Sequence, residues 1–198
     1  MKEIKLTRRE RKVFFDEAVR LHKADEAYKK ADNLGFFLYV TLVVVFALAL
    51  RLFVFEPIRV DGPSMEPTLF NDEQMFVEKC SYWFRTPERG EIVIVYYPGY
   101  TIPAVKRVIA LPGETVAVTD GAVYINGEKL DESAYWDGYV LDGIWPFTVP
   151  EGSIFVMGDN RNVSKDSRNL LEVGPIPYYR IVGRALAVIW PFSFYRAL

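Results

Sequence analysis

Residues 34–50 form a run of 17 without a charge, and beyond Arg51 the chain stays apolar through residues 52–55. A helix needs about 20 such residues to cross roughly 30 Å of hydrocarbon, and Arg51 lies near enough to the end to snorkel. The segment is therefore expected to span a membrane once. A cleaved export signal is the alternative, because Ala-Leu-Ala at 47–49 has the small-x-small pattern. Against cleavage stand the 33 residues before it, which carry seven acids, and the apolar run that continues past Ala49. Arg20, Lys23, Lys29 and Lys30 flank the start, whereas only Arg51 and Arg59 flank the end. That bias puts the N-terminus in the cytoplasm and residues 56–198 on the extracytoplasmic face of the cell membrane.

The charges outside this segment are unevenly placed. Residues 1–33 carry ten Lys or Arg against seven acids and, from Thr7 on, have neither proline nor glycine, so a charged helical tail is expected. Val13, Phe14, Phe15, Ala18, Val19 and Leu21 give it a short apolar face, suited to a membrane surface or partner helix, or simply tolerated on a solvated helix. The whole chain has a net charge of −2, which gives no basic field for nucleic acid. One cysteine, Cys80, excludes an intramolecular disulfide framework and a cysteine-cluster metal site. One histidine, His22, lies in the tail, so no histidine is at hand for a triad or a metal cage unless the tail folds back. Chemistry here has to run on Ser, Lys, Asp, Glu, Arg, Tyr or backbone, with no metal and no cofactor expected.

From Glu56 onward the pattern changes to short β-type runs broken by glycine and proline. Residues 74–79, 91–97, 105–110, 115–119, 153–157 and 183–190 read as strands. Residues 123–130 read as a hairpin, with Asn126 and Gly127 as the two φ > 0 positions of a type I′ turn. The expectation is a mostly antiparallel β domain over residues 56–198, one transmembrane helix over 34–55, and a charged tail over 1–33. Trp-Pro-Phe occurs at 145–147 and 190–192, which suits aromatic turns at a bilayer interface and equally core aromatics.

Three segments could carry chemistry. Ser64 follows Pro63 and precedes Pro67 by three residues, so its backbone is held in a defined turn. A fixed turn can aim one hydroxyl and one amide N–H at the same point, as a nucleophile with its own oxyanion donor requires; an ordinary surface turn has the same composition. Lys106 shares the side of its strand with Ala104, Val108 and Ala110. An ammonium on an apolar face is costly unless it loses its proton, and a desolvated lysine is a usable base; on an edge strand it would instead reach solvent beside Arg107. Residues 157–168 form a polar loop in which Asp159, Arg161, Asp166 and Arg168 can pair, while Ser164 and Ser167 offer hydroxyls to an amine. The two arginines oppose a cation there, and the spaced carboxylates of a calcium loop are missing.

In order, and just after a membrane segment, these stretches resemble type I signal peptidase. The matching strings are Gly-Pro-Ser-Met-Glu-Pro-Thr-Leu at 62–69, Arg-Gly-Glu-Ile-Val at 89–93, Lys-Arg-Val-Ile-Ala-Leu-Pro-Gly-Glu at 106–114, Gly-Asp-Asn-Arg at 158–161 and Ser-x-Asp-Ser-Arg at 164–168. The resemblance spans residues 34–190 and implies a serine protease that removes signal peptides from exported preproteins. It implies Ser64 as nucleophile, Lys106 as general base and the Ser64 N–H as oxyanion donor. Where some relatives carry a further serine hydroxyl, this chain has Gly62. Ser164 would orient the Lys106 amine, Asp166 would pair with Arg168, and Asp159 with Arg107 or Arg161. Ile58, Val60, Met65 and Val105 would line shallow pockets for the small residues of an Ala-x-Ala site. The implied partners are exported preproteins, the lipid bilayer and, further, the protein export machinery. Two rivals differ from this reading. A self-cleaving repressor-type Ser/Lys protease would carry a DNA-binding module in place of the membrane segment. A silent preprotein-binding relative would lack the serine or the lysine.

Overall fold

The computed structural model describes residues 7–141 and 143–198; the first six residues, with Lys2, Glu3 and Lys5 of the charged tail, lie outside the described residues. The chain divides into two units, Met1–Leu50 and Arg51–Leu198. In the first, helix α1 (Arg8–Ala49) runs unbroken for 42 residues, so the charged tail and the apolar segment share one helix. With no proline to remove a backbone donor, Gly35 alone does not interrupt it. A π-helical turn, Leu50–Val54, ends the apolar run. By length and composition this helix can cross a membrane. Phe55, expected at the end of the membrane segment, instead opens the first strand.

The second unit is built of antiparallel pairs throughout. Strands β1 (Phe55–Arg59), β2 (Gln74–Glu78), β3 (Ile92–Tyr96), β4 (Pro103–Ala110), β9 (Ser153–Met157), β10 (Ile176–Pro177), β11 (Ile181–Trp190) and β12 (Arg196–Ala197) form one sheet. Its order is β1-β2-β11-β3-β4-β9-β10, with β12 on β11. A smaller sheet has the order β7-β6-β5-β8, from β5 (Thr115–Thr119), β6 (Ala122–Ile125), β7 (Glu128–Lys129) and β8 (Ile144–Thr148). The mostly antiparallel β fold read from the sequence is the one observed. The turn at Asn126 and Gly127 has φ of 53° and 86°, and the Asn126 side chain accepts a hydrogen bond from the Thr115 N–H at 2.8 Å.

Burial explains which strands were legible. In β9, Ile154 and Val156 enter one core with Val93, Val95 and Val108, while Phe155 and Met157 enter another with Val116, Val118 and Val123. Buried on both faces, such a strand reads as a continuous apolar run. β1 and β8 add two strands that patterning does not predict: each holds a proline, Pro57 and Pro146, which a sheet accepts at its edge. The tryptophan of the first Trp-Pro-Phe therefore sits on edge strand β8, with Trp145 exposed and Phe147 packed on the core, and not in a turn. β10 and β12 are two residues each, too short for a periodic signal.

Candidate active site

The turn bearing Ser64 is fixed from both ends. Gly62 adopts φ of +91°, a conformation glycine reaches without strain, and its N–H donates to Asn71 Oδ1 at 2.8 Å. Met65 and Leu69, wholly buried and joined by a Leu69 N–H to Met65 carbonyl bond of 2.9 Å, anchor the turn in a core with Val60, Met75 and Ile94. Ser64 itself stays half-buried, so its hydroxyl faces an accessible cleft.

β4 brings the amine. Register pairs Lys106 with Val93 and Arg107 with Ile92, and directly opposed residues share a face. Lys106 thus lies with Ala104 and Val108, as expected from alternation. Ala110 does not join them, because a bulge between Val108 and Ala110 turns it into the core of the smaller sheet. Lys106 is 3% exposed, and its Nζ lies 2.8 Å from Ser64 Oγ and 2.7 Å from the Val105 carbonyl oxygen. Burial pushes the amine down to about 8; the carboxylates of Asp166 and Asp159 oppose that fall. At that value roughly a tenth of the amine is neutral at pH 7, against well under a thousandth for a free lysine.

The loop after β9 closes the site. The Asn160 N–H donates to the Ser64 carbonyl at 3.1 Å, and its side chain donates to the Pro63 carbonyl at 3.1 Å. The alternatives left open for Asp159 resolve to Arg107: Nε donates at 2.8 Å and Nη2 at 2.6 Å, with Asp159 wholly buried. Arg161 turns to Glu132 instead. Asp166 pairs with Arg168 through Nε and Nη2, both at 2.9 Å, and accepts the Gly158 N–H at 3.0 Å.

Ser164 departs from its expected contact. Lys106 spends its hydrogen bonds on Ser64 and Val105, and Ser164 Oγ is buried with no hydrogen-bond partner among the described residues. It nevertheless belongs to the site. A Cβ on Gly158 would meet both Ser164 Oγ, at 2.3 Å, and the Ser64 carbonyl oxygen, at 2.4 Å. Ser167 is occupied elsewhere, its Oγ accepting the Val156 N–H at 3.1 Å. Gly158 opens the matching Gly-Asp-Asn-Arg string, yet the sequence assigns no role to it or to the Val105 carbonyl, since neither has a side chain to signal one.

Ile58, Val60, Met65 and Val105 all line one cleft of about 340 Å³, with Ser64 and Lys106 in its wall. Arg59, Asp61, Ile102 and Pro103 form part of the same lining. The arrangement offers a hydroxyl, a buried amine poised to take its proton, and a mainly apolar groove beside both. His22, on α1, is exposed next to Glu26.

The family model described as "Signal peptidase, peptidase S26" matches residues 34–190. A Signal peptidase I of Bacillus licheniformis is 43% identical over 163 residues, covering 78% of this chain and 87% of that protein. Signal peptidase I S of Bacillus subtilis is 39% identical over 86% of this chain and 96% of its own length. Signal peptidase I T of the same organism is 44% identical over 78% and 83%. With the match running from the apolar helix through β11, this chain belongs to the signal peptidase family, peptidase S26, and is a serine peptidase.

Proposed function

We propose that this chain is a membrane-anchored endopeptidase that removes signal peptides from exported preproteins after small residues, using Ser64 and Lys106 as a catalytic dyad. The observation that carries the reading is the 2.8 Å approach of a 97%-buried Lys106 amine to Ser64 Oγ. Neutral Nζ takes the Ser64 proton as Oγ attacks the scissile carbonyl carbon. The oxyanion that forms is held by the Ser64 N–H, and with Gly62 carrying no hydroxyl, water supplies the remaining hydrogen bond. The ammonium then returns its proton to the leaving nitrogen as the C–N bond breaks, leaving an acyl-serine. Water attacks that ester, Nζ takes the water proton, and the proton returns to Ser64 Oγ.

The groove sets the specificity. Ile58, Val60, Met65 and Val105 are apolar walls that admit a methyl side chain and exclude larger ones by overlap, which suits an Ala-x-Ala site. Gly158, in the narrow space beside Ser164 and the Ser64 carbonyl, keeps the Ser64 turn in place. Asp159 with Arg107, and Asp166 with Arg168, brace the site. Residues 34–55 hold the catalytic domain, residues 56–198, on the extracytoplasmic face, with the charged tail, residues 1–33, in the cytoplasm. Strand β1 follows the apolar helix after one π-helical turn, which suits a groove held near the bilayer where a signal peptide emerges. The partners are exported preproteins, the bilayer and the export machinery that delivers the substrate.

The test is cleavage of a purified preprotein in detergent by wild type, Ser64→Ala and Lys106→Met, with the new N-terminus sequenced. Cutting by wild type alone, after a small-x-small site, is expected. Equal cutting by all three proteins would overturn the dyad, and binding without cutting by any would make the chain a preprotein-binding scaffold.

A further inference from the structure

The loop after β7 contributes Glu132 and Tyr135, which none of the roles above uses. Arg161 is wholly buried, and its guanidinium forks onto Glu132, with Nη1 donating to Oε2 at 2.6 Å and Nη2 to Oε1 at 2.5 Å. The Tyr135 ring is shared by two cations. The Arg107 guanidinium lies 4.1 Å from the ring centroid and that of Arg161 5.7 Å away. The Tyr135 hydroxyl donates to Glu132 Oε1 at 3.2 Å, and the Tyr135 N–H donates to the Glu132 carbonyl at 3.0 Å. Burial, with the Glu132 carboxylate beside it, pushes the phenol up to about 12, so the ring stays neutral beneath the guanidiniums.

Each of these two arginines sits next to one arm of the dyad. Arg107 follows Lys106 along β4. Arg161 follows Asn160, whose N–H holds the Ser64 carbonyl. We propose that Glu132 and Tyr135 form a clamp that locks Arg107 and Arg161 together and so sets the separation of Ser64 and Lys106. They are positioning residues for the reaction proposed above, on which this inference rests.

Charge makes the clamp testable. Arg107, Arg161, Asp159 and Glu132 form a buried set of two cations and two anions. Glu132→Gln leaves Arg161 without its carboxylate, and the next available one is Asp159, whose backbone carbonyl already accepts the Arg161 N–H at 2.9 Å. Asp159 is then drawn from Arg107, and the surroundings of Lys106 become one charge more positive. Both changes favour the neutral amine, so its titration moves to lower pH. A merely structural loss would reduce the folded fraction and leave that titration in place.

The experiment uses the full chain in detergent, labelled with [13C]lysine, with the Lys106 signal assigned by its absence in Lys106→Met. Glu132→Gln is expected to lower the titration midpoint of Lys106 by about half a pH unit or more. On a signal-peptide substrate, kcat is expected to fall roughly tenfold with KM within twofold, as positioning losses do. Tyr135→Leu, which removes the ring the cations share, is expected to show the same split of kcat from KM. Tyr135→Phe, which keeps the ring, is expected to recover at least a third of kcat. A Lys106 midpoint that moves in Glu132→Gln while wild type cuts no preprotein would leave the clamp standing and remove the hydrolytic reading. Unchanged kcat in both Glu132→Gln and Tyr135→Leu, with the midpoint unmoved, would overturn the clamp. Should Glu132→Gln fail to fold, the contrast of Leu with Phe at 135 decides: equal kcat in the two overturns it.

Discussion

A Cβ atom on Gly158 would stand 2.4 Å from the carbonyl oxygen of Ser64. The same oxygen accepts the Asn160 N–H, so the loop after β9 and the serine turn are packed backbone against backbone. A side chain there has to shift one backbone against the other, at the turn that carries the Ser64 hydroxyl.

Gly158→Ala is therefore expected to cut turnover of a signal-peptide substrate by more than tenfold while the protein still folds. Overpacking of this kind costs about 1–3 kcal/mol. The check is kcat beside a thermal melt: a fold kept within a few degrees of wild type, with activity lost, is the expected pair.

The rate is expected to rise with pH through about 8, because the reaction needs neutral Lys106 and burial brings the amine down to that value. Below it, kcat/KM should fall about tenfold per pH unit. A profile of kcat/KM from pH 5 to 10 checks this; a rise centred above 10 would mean an ordinary solvated lysine.

Folding stability responds to the same group. An amine whose pKa is lower folded than unfolded binds fewer protons when folded, so its ammonium opposes folding below about pH 8. That opposition is lifted as pH rises from about 8 toward the free value of about 10.5. Lys106→Met is expected to be more stable than wild type at pH 6, by up to about 3 kcal/mol, with the gap closing by pH 10. Urea unfolding at the two pH values measures it.

Asp159→Asn leaves the Arg107 guanidinium buried without its carboxylate. Breaking such a pair from one side costs about 3–5 kcal/mol. The melting temperature should fall by several degrees, and kcat should fall further than in a surface control, Asp25→Asn. The Asp25 partner, Lys29, is exposed on α1, and that pair is worth under about 1 kcal/mol.

The chemistry-bearing residues were visible in the chain because each needs a particular neighbour. Ser64 is framed by Pro63 and Pro67, Lys106 lies on an apolar side of a strand, and residues 157–168 crowd charges after a buried run. Continuous apolar runs located strands buried on both faces, such as β9, and Asn126 with Gly127 marked the turn between β6 and β7. Strands such as β1, with Pro57, carry no such pattern, because an edge strand keeps few side-chain requirements.

Local patterning and residue chemistry thus determined the membrane-length apolar segment and the antiparallel β class. Only the tertiary structure decided the pairings. Asp159 chooses Arg107 over Arg161, the Ser164 hydroxyl has no hydrogen-bond partner among the described residues, and Gly158 makes room for the Ser64 carbonyl. Glu132 and Tyr135, about 30 residues from each arginine they engage, became legible only there. A strand's alternation is set by bonds between neighbours, whereas the partner of a buried charge is set by whichever opposite charge the folded backbone brings within about 3 Å of it.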